Sequence, residues 1–307
     1  MTSSAQGPEP ANGSTVDEQG VGGAGVNDSE AGGSPLGAGR ANGSNGANRL
    51  HADAVTLAYD QRVISSDLSV QIPNDSFTVI IGPNACGKST LLRSLSRLLK
   101  PQQGQVVLDG KALVDYRPKE AARSIGLLPQ TSIAPEGIKV ADLVSRGRFP
   151  HQGMIRAWRP EDERAVNEAM SATGVAPLAG RLVAELSGGQ RQRVWAAMAL
   201  AQETPILLLD EPTTYLDISF QIELLDLFES LNERGTTIVA VLHDLGQATR
   251  YATHLIAMKA GKVVAEGAPA EIVTAELVEE VYGLPCAVIT DPISGTPLVL
   301  PKGAKHR

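Results

Sequence analysis

Cysteine is scarce in this chain of 307 residues: there are two, Cys86 and Cys286, 200 positions apart. Two thiols cannot staple a fold of this size, which excludes a disulfide scaffold and makes a reducing compartment the default. Long apolar runs are also lacking. The longest clear one, Trp195 to Ala201, falls far short of the ~18 residues that span a bilayer. The N-terminus has neither a basic start nor an apolar core, so no secretory signal is read there and a soluble, cytosolic protein is expected. No basic block is present to follow a phosphate backbone, and the formal charge is −7. Nucleic acid is therefore not an expected partner. The first 50 residues lack aromatics altogether, hold 12 of the 31 glycines and carry six large apolar side chains, Met1, Val16, Val21, Val26, Leu36 and Leu50. Such a segment cannot bury enough surface to offset its ordering entropy. Residues 1–50 are expected to be a disordered tail, and 51–307 to be the folded part.

What is present in 51–307 is an alternation of short apolar runs with helical patterns, the mark of an α/β sheet protein. Strands are expected at Val55–Tyr59, Leu68–Ile72, Phe77–Ile81, Val106–Leu108, Ile125–Leu128, Ile206–Leu209 and Ile238–Leu242. Leu255–Met258 and Val263–Ala265 flank Ala260-Gly261 and read as a hairpin. From Gly87 a helix follows, with Leu91, Leu92, Leu95, Leu98 and Leu99 at three- and four-residue spacing before Pro101. A helix with Ile222, Leu225, Phe228 and Leu231 on one face lies between two strands. From about 138 to 202 strand character vanishes. Val140, Leu143 and Val144 recur at helical spacing, Pro160-Glu161-Asp162-Glu163 opens a helix with acids at its positive end, and another helix runs from Gly188 to about Gln202. This stretch is expected to be an all-helical insert in the α/β core.

Gly82-Pro83-Asn84-Ala85-Cys86-Gly87-Lys88-Ser89, followed by Thr90, fits G-x-x-x-x-G-K-[ST] between a predicted strand and a predicted helix. Backbone N–H groups without helical partners point at phosphates there, and the helix dipole favours anions. Lys88 is expected to reach the β- and γ-phosphates of a nucleoside triphosphate, and Ser89 to bind Mg²⁺. The run Ile206–Leu209 ends in Asp210-Glu211, at the strand edge where open α/β sheets bind ligands. By itself an Asp-Glu strand end can be a solvated edge. Downstream of a phosphate loop it becomes a candidate site: Asp210 to hold Mg²⁺ through water, and Glu211 to orient and deprotonate the attacking water.

Leu186-Ser187-Gly188-Gly189-Gln190 carries a helix-capping serine and two glycines that let backbone approach an anion closely. Locally this is also what an ordinary helix start looks like. Here the chain resembles the ATP-binding cassette family, whose signature is this pentapeptide and whose motifs occur in the same order over nearly all of 51–307. The resemblance implies a phosphate-loop NTPase core with a mixed, mainly parallel sheet, an N-terminal antiparallel β part and the helical insert. It implies ATP with Mg²⁺, and two copies paired head to tail with Ser187, Gly188 and Gly189 of one on the γ-phosphate held by Lys88 of the other. Carried over residue by residue, Tyr59 matches the aromatic that stacks on adenine, otherwise an ordinary strand residue. Gln130 matches the glutamine that touches Mg²⁺ and senses the permease, otherwise a loop amide. Asp217 matches the loop that crosses the dimer interface. His243 matches the switch histidine at the γ-phosphate, although a lone histidine at a strand end is also commonly structural. Ala85 stands where the family usually has glycine, and a Cβ would cost roughly 1–2 kcal/mol if that position required φ > 0. Gly246 replaces a more usual asparagine.

Arg146-Gly147-Arg148-Phe149-Pro150-His151, Thr213-Thr214-Tyr215-Leu216-Asp217-Ile218, His243-Asp244-Leu245-Gly246-Gln247-Ala248 and Pro292–Pro297 resemble the iron–siderophore importer branch. That resemblance implies an ATPase bound peripherally to integral membrane permease subunits on the cytoplasmic side, with an extracytoplasmic binding protein as an indirect partner. The insert is expected to dock on the permease. Haem or cobalamin import, or a soluble iron–sulfur assembly ATPase, are the alternatives.

Overall fold

The computed structural model describes residues 48–130, 133–153 and 158–303. Most of the expected tail, residues 1–47, lies outside them. Its predicted end is moved by the structure, because Leu50 is 1% exposed and opens the first strand. Arg49 joins the fold too, its guanidinium bonded to both carboxylate oxygens of Asp109 at 2.6 and 2.9 Å.

The first layer is antiparallel. Strands β1 (Leu50–Tyr59), β2 (Arg62–Ile72), β4 (Gln103–Leu108) and β5 (Lys111–Ala112) lie in the order β2-β1-β4-β5. Both β1 and β2 are longer than the sequence pattern indicates. Register shifts near Ala52–Val55, where Ala54 has φ 47°, break the period-two alternation that marks a strand.

The second layer is the six-stranded core, ordered β10-β9-β3-β8-β7-β6, from β3 (Phe77–Ile81), β6 (Ile125–Leu128), β7 (Ile206–Asp210), β8 (Thr237–Val241), β9 (His254–Lys259) and β10 (Lys262–Gly267). All its pairings are parallel except the β9–β10 hairpin. Sheets of this kind are covered on both faces, so their strands read as unbroken apolar runs. In β3, Ile80 enters a core shared with α1 (Lys88–Leu95) and the antiparallel layer, while Phe77, Val79 and Ile81 enter one shared with α6 (Ile218–Glu233). Helix α1 ends sooner than its leucines suggest. Arg97 adopts φ 68°, the amides of Leu98 and Leu99 both fold back to the Arg93 carbonyl, and Leu98 is left 65% exposed.

The insert consists of α3 (Val140–Ser145), α4 (Pro160–Ala172) and α5 (Gly188–Ala201) around a core of their own. As expected from the sequence it is helical, though one isolated bridge joins Lys139 to Leu182. Further elements escape the sequence reading, among them α2 (Pro118–Ser124), α7 (Leu245–Tyr251), α8 (Pro269–Ile272), α9 (Ala275–Tyr282) and the hairpin of β11 (Cys286–Thr290) with β12 (Pro297–Pro301). The helices span at most eight residues, too few to establish a period, and the hairpin alternates weakly because much of it is half-exposed. No helix among the described residues is long and apolar enough to cross a membrane.

Candidate functional site

The site is built at the C-terminal edge of the parallel strands. After β3 the chain turns at Gly82, whose φ is 149° and whose Cβ, if present, would lie 2.2 Å from the Met258 carbonyl oxygen on β9. Only glycine fits that approach. The loop then curls around the Lys88 side chain, which is 5% exposed and donates to the carbonyls of Gly82 and Pro83 at 2.8 and 2.9 Å. Gly87, at φ 110°, precedes α1, whose first-turn amides have no helical partners. Cys86 is buried and packs into the core, its carbonyl accepting from the Gly261 amide at 2.9 Å. Its backbone thus ties the loop to the turn after β9.

Ala85 does sit at φ 61°, so the conditional strain read from the sequence is present. The side chain is exposed, so little packing is lost without it. Ala85→Gly is therefore expected to stabilise the protein by a few tenths to about 1 kcal/mol, relief of the left-handed backbone outweighing the added freedom of the unfolded chain. Urea denaturation measures it; a destabilised glycine variant would show that the alanine methyl is itself a favourable contact.

Asp210 ends β7 as predicted, and Glu211 follows it immediately after the strand. Ser89 Oγ donates to Asp210 Oδ1 at 2.7 Å, bringing α1 against β7. Burial pushes the Asp210 carboxyl above its ordinary range, opposed by the Ser89 hydroxyl and reinforced by the neighbouring Glu211 charge. Glu211 adopts φ 53°, a left-handed turn that swings its side chain off the strand line. One carboxylate oxygen takes the Gln130 amide at 2.6 Å and, at 3.4 Å, the Thr214 hydroxyl. The other lies 2.6 Å from His243 Nε2. A carboxylate only accepts, so this contact places the imidazole proton on Nε2.

Ser89, Gln130, Glu211 and His243 line one cavity of about 780 Å³ together with Tyr59, Arg62, Ile64, Asn84 to Lys88 and Thr90, while Asp210 and Thr214 lie just outside its lining. Tyr59 is 40% exposed at its mouth, its hydroxyl accepting from Arg93 at 3.1 Å. Sequence reasoning missed Arg62 and Ile64, which belong to the β1–β2 turn region and carry no motif; only the pairing of Tyr59 with Arg62 brings them in. Thr214 and Arg93 were also missed, since neither contact has a sequence signal.

The signature does not line this cavity. Ser187 caps α5 as predicted: its hydroxyl accepts from the Gln190 amide at 3.3 Å, and the Gln190 side chain accepts from the Ser187 amide at 3.1 Å. Gly188 instead borders a separate cavity of about 470 Å³, with Gln130, Ile133 and Tyr215. Asp217 caps α6, accepting from the Phe220 amide at 3.1 Å, and it too lies outside the phosphate cavity. Within one chain, then, Ser187, Gly188, Gly189, Gln190 and Asp217 are not assembled with Lys88.

Comparison with known proteins matches the chain over residues 65–214 to the family model described as ABC transporter. The chain is 59% identical to the ferric enterobactin transport ATP-binding protein of Escherichia coli, over 83% of this chain and 94% of that protein. It is 49% identical to the petrobactin import ATP-binding protein FpuD of Bacillus anthracis (84% and 95% covered) and 46% identical to the iron(3+)-hydroxamate import ATP-binding protein of Bacillus subtilis (82% and 94%). Among solved structures, the dimeric bacterial ABC transporter cassette MJ0796 superposes with a TM-score of 0.65 at 29% identity, covering 71% of this chain and 98% of that one. A phosphate loop, two carboxylates at a strand end and a capped signature helix, in one α/β core so closely matched, have one reading: the chain belongs to the ATP-binding proteins of the ABC transporter family.

Proposed function

We propose that this chain is the ATP-hydrolysing subunit that powers import of a ferric siderophore through a membrane permease, working as a head-to-tail pair. The observation that carries the pairing is the division of the site. Lys88, Glu211 and His243 surround one cavity, while the signature presents Ser187, Gly188 and Gly189 elsewhere. Gly188 and Gly189 have no positive φ that would demand glycine; a Cβ on Gly188 would meet the Tyr215 side chain at 3.6 Å, and one on Gly189 the Tyr215 carbonyl oxygen at 3.3 Å and Leu216 at 3.4 Å. At Gly189 that close approach favours glycine within the chain, whereas Gly188 has room for a side chain, and its bareness is best explained by something approaching from outside. The Ser187 hydroxyl accepts from Gln190 and keeps its own hydrogen to donate to such an anion. The substrate class follows from the relatives, which are named for enterobactin, petrobactin and hydroxamate transport.

In the proposed mechanism the triphosphate lies along the loop amides of 82–90, with Lys88 neutralising the β- and γ-phosphates and Tyr59 stacking on the base, a contact worth roughly 1–3 kcal/mol. Glu211 orients a water and takes its proton, and His243 holds that carboxylate and the γ-phosphate in register. Ser89, Asp210 and Gln130 offer hydroxyl, carboxylate and amide oxygens, the hard donor set that suits Mg²⁺. A dry carboxylate pushed toward protonation, as Asp210 is, is also one that a cation would relieve. When bound there the cation would neutralise charge on the phosphate oxygens. Closure of the pair on ATP, and reopening after hydrolysis, would drive the permease.

The test is radio-iron uptake by cells whose import depends on this chain, supplied with catecholate, hydroxamate or haem-bound iron. Siderophore uptake that disappears with Lys88→Ala supports the reading. Uptake of haem alone, or siderophore uptake indifferent to Lys88→Ala, would overturn it.

A further inference from the structure

Two of the phrases that mark the importer branch, Thr213–Ile218 and His243–Ala248, are far apart in sequence, yet a chain of amides joins them. Gln221, in the first turns of α6, directs its Nε2 to the backbone carbonyls of Leu216 at 3.0 Å and Thr213 at 3.4 Å. Its Oε1 accepts from Gln247 Nε2 on α7 at 2.7 Å. The polarity of this relay is dictated by chemistry. Both loop carbonyls can only accept, so Gln221 must turn its NH₂ toward them, and Gln247 must donate to what remains. A third amide grips the same loop from the signature helix, Gln192 Nε2 donating to the Pro212 carbonyl at 3.1 Å.

The loop has reason to be held. Glu211 and Tyr215 stand at φ 53° and φ 68° without being glycine, conformations that cost energy and persist only where surroundings over-determine them. Tyr215 is 75% exposed, so packing does little to pin it. Helix α7, at the other end of the relay, starts from Asp244, which accepts from the Gln247 amide at 2.7 Å immediately after His243. The side chain of Gln247 is thus rigidly referred to the histidine that touches Glu211.

We propose that Gln221 and Gln247 are positioning residues that lock the loop 212–217 to the helix following His243, so that the loop and the Glu211 carboxylate shift together with α7. The proposal rests on the ATPase reading for its kinetic consequence, but not for its structural one. The relay transmits movement of the histidine segment to the segment that carries Asp217, and through Gln192 to the start of the signature helix.

The experiment uses the full-length chain with Gln247→Leu, Gln221→Glu and the double substitution. Gln221→Glu keeps the shape but turns the donor to the loop into a carboxylate oxygen that the Leu216 and Thr213 carbonyls repel. Hydrogen exchange at the amides of 212–217, read without nucleotide, is expected to quicken at least about tenfold in each single variant, since the loop would open locally. Mg²⁺-dependent ATP turnover is expected to fall roughly tenfold in kcat, with KM for ATP and the thermal midpoint of Gln247→Leu near wild type. The double variant should be no slower than Gln221→Glu alone, because the two residues act in series. Wild-type exchange rates in the loop, multiplicative losses in the double variant, or a kcat loss that merely follows a lowered thermal midpoint would each overturn the relay. Absence of turnover in the wild-type chain would count against the ATPase reading, and the exchange measurement would still decide the relay.

Discussion

Glu211→Gln is expected to bind ATP with close to wild-type affinity and to lose Mg²⁺-dependent hydrolysis by about 10²- to 10⁴-fold, the range that a positioned general base supplies. Size and shape are retained, so Gln130 and His243 can still meet the side chain. What is lost is the carboxylate between them, held by contacts of 2.6 Å on each side. Binding is expected to be spared because, in the proposed site, the phosphates would meet the loop amides and Lys88, whose side chain donates to the Gly82 and Pro83 carbonyls and not to Glu211. The check is equilibrium nucleotide binding beside single-turnover phosphate release. Turnover within a fewfold of wild type would remove Glu211 from the role of base.

Arg148→Ala is expected to produce the largest loss of stability, about 3–5 kcal/mol. Arg148 is 5% exposed and Asp162 4%. The guanidinium donates to Asp162 at 2.9 Å and to both the Ala201 carbonyl and Glu203 at 2.8 Å, tying the start of α4 to the end of α5. Burial pushes the Asp162 carboxyl up, but the bonds from Arg148 and from the Arg159 amide outweigh it and hold the group below its ordinary range. Its stabilising effect is therefore complete above the unfolded carboxylate pKa of about 4 and lost as pH falls through the lower, folded value. Alanine at 148 leaves that carboxylate buried without its cation. At 2–4 °C per kcal/mol the thermal midpoint should drop by about 10 °C. A double change, Arg148→Met with Asp162→Leu, should recover part of the loss, since an apolar pair in a buried slot avoids the unpaired charge. A drop of under about 2 °C in Arg148→Ala, or no recovery in the double variant, would show that the network contributes little.

Arg148 also shows how a residue can be legible as a marker while its chemistry is not. The phrase Arg146–His151 pointed to the importer branch, yet what the structure displays there is internal support: the Arg148 network, and His151 Nε2 at 2.7 Å from the Gln202 carbonyl. Nothing in the spacing of these residues announces partners 14 to 55 positions away. The core strands were readable because they are buried on both faces and need apolar residues at every position. The bulged β1, the short helices after His243 and the terminal hairpin were not, since each departs from a simple period.

By itself the sequence determined the local chemistry: a glycine-rich loop after a strand, a lysine and serine opening a helix, two acids at the end of a buried strand, and a serine that caps a helix. These are short-range consequences of backbone geometry and need no knowledge of the rest of the chain. Only the tertiary structure decided which of them meet. It closed Gln130, Glu211 and His243 into one cluster, set the signature at another cavity, and ran an amide relay between Gln221 and Gln247, 26 residues apart on two helices. The reason is physical: hydrogen bonds between distant elements depend on strand order and helix packing, and those are settled by the burial of the whole core.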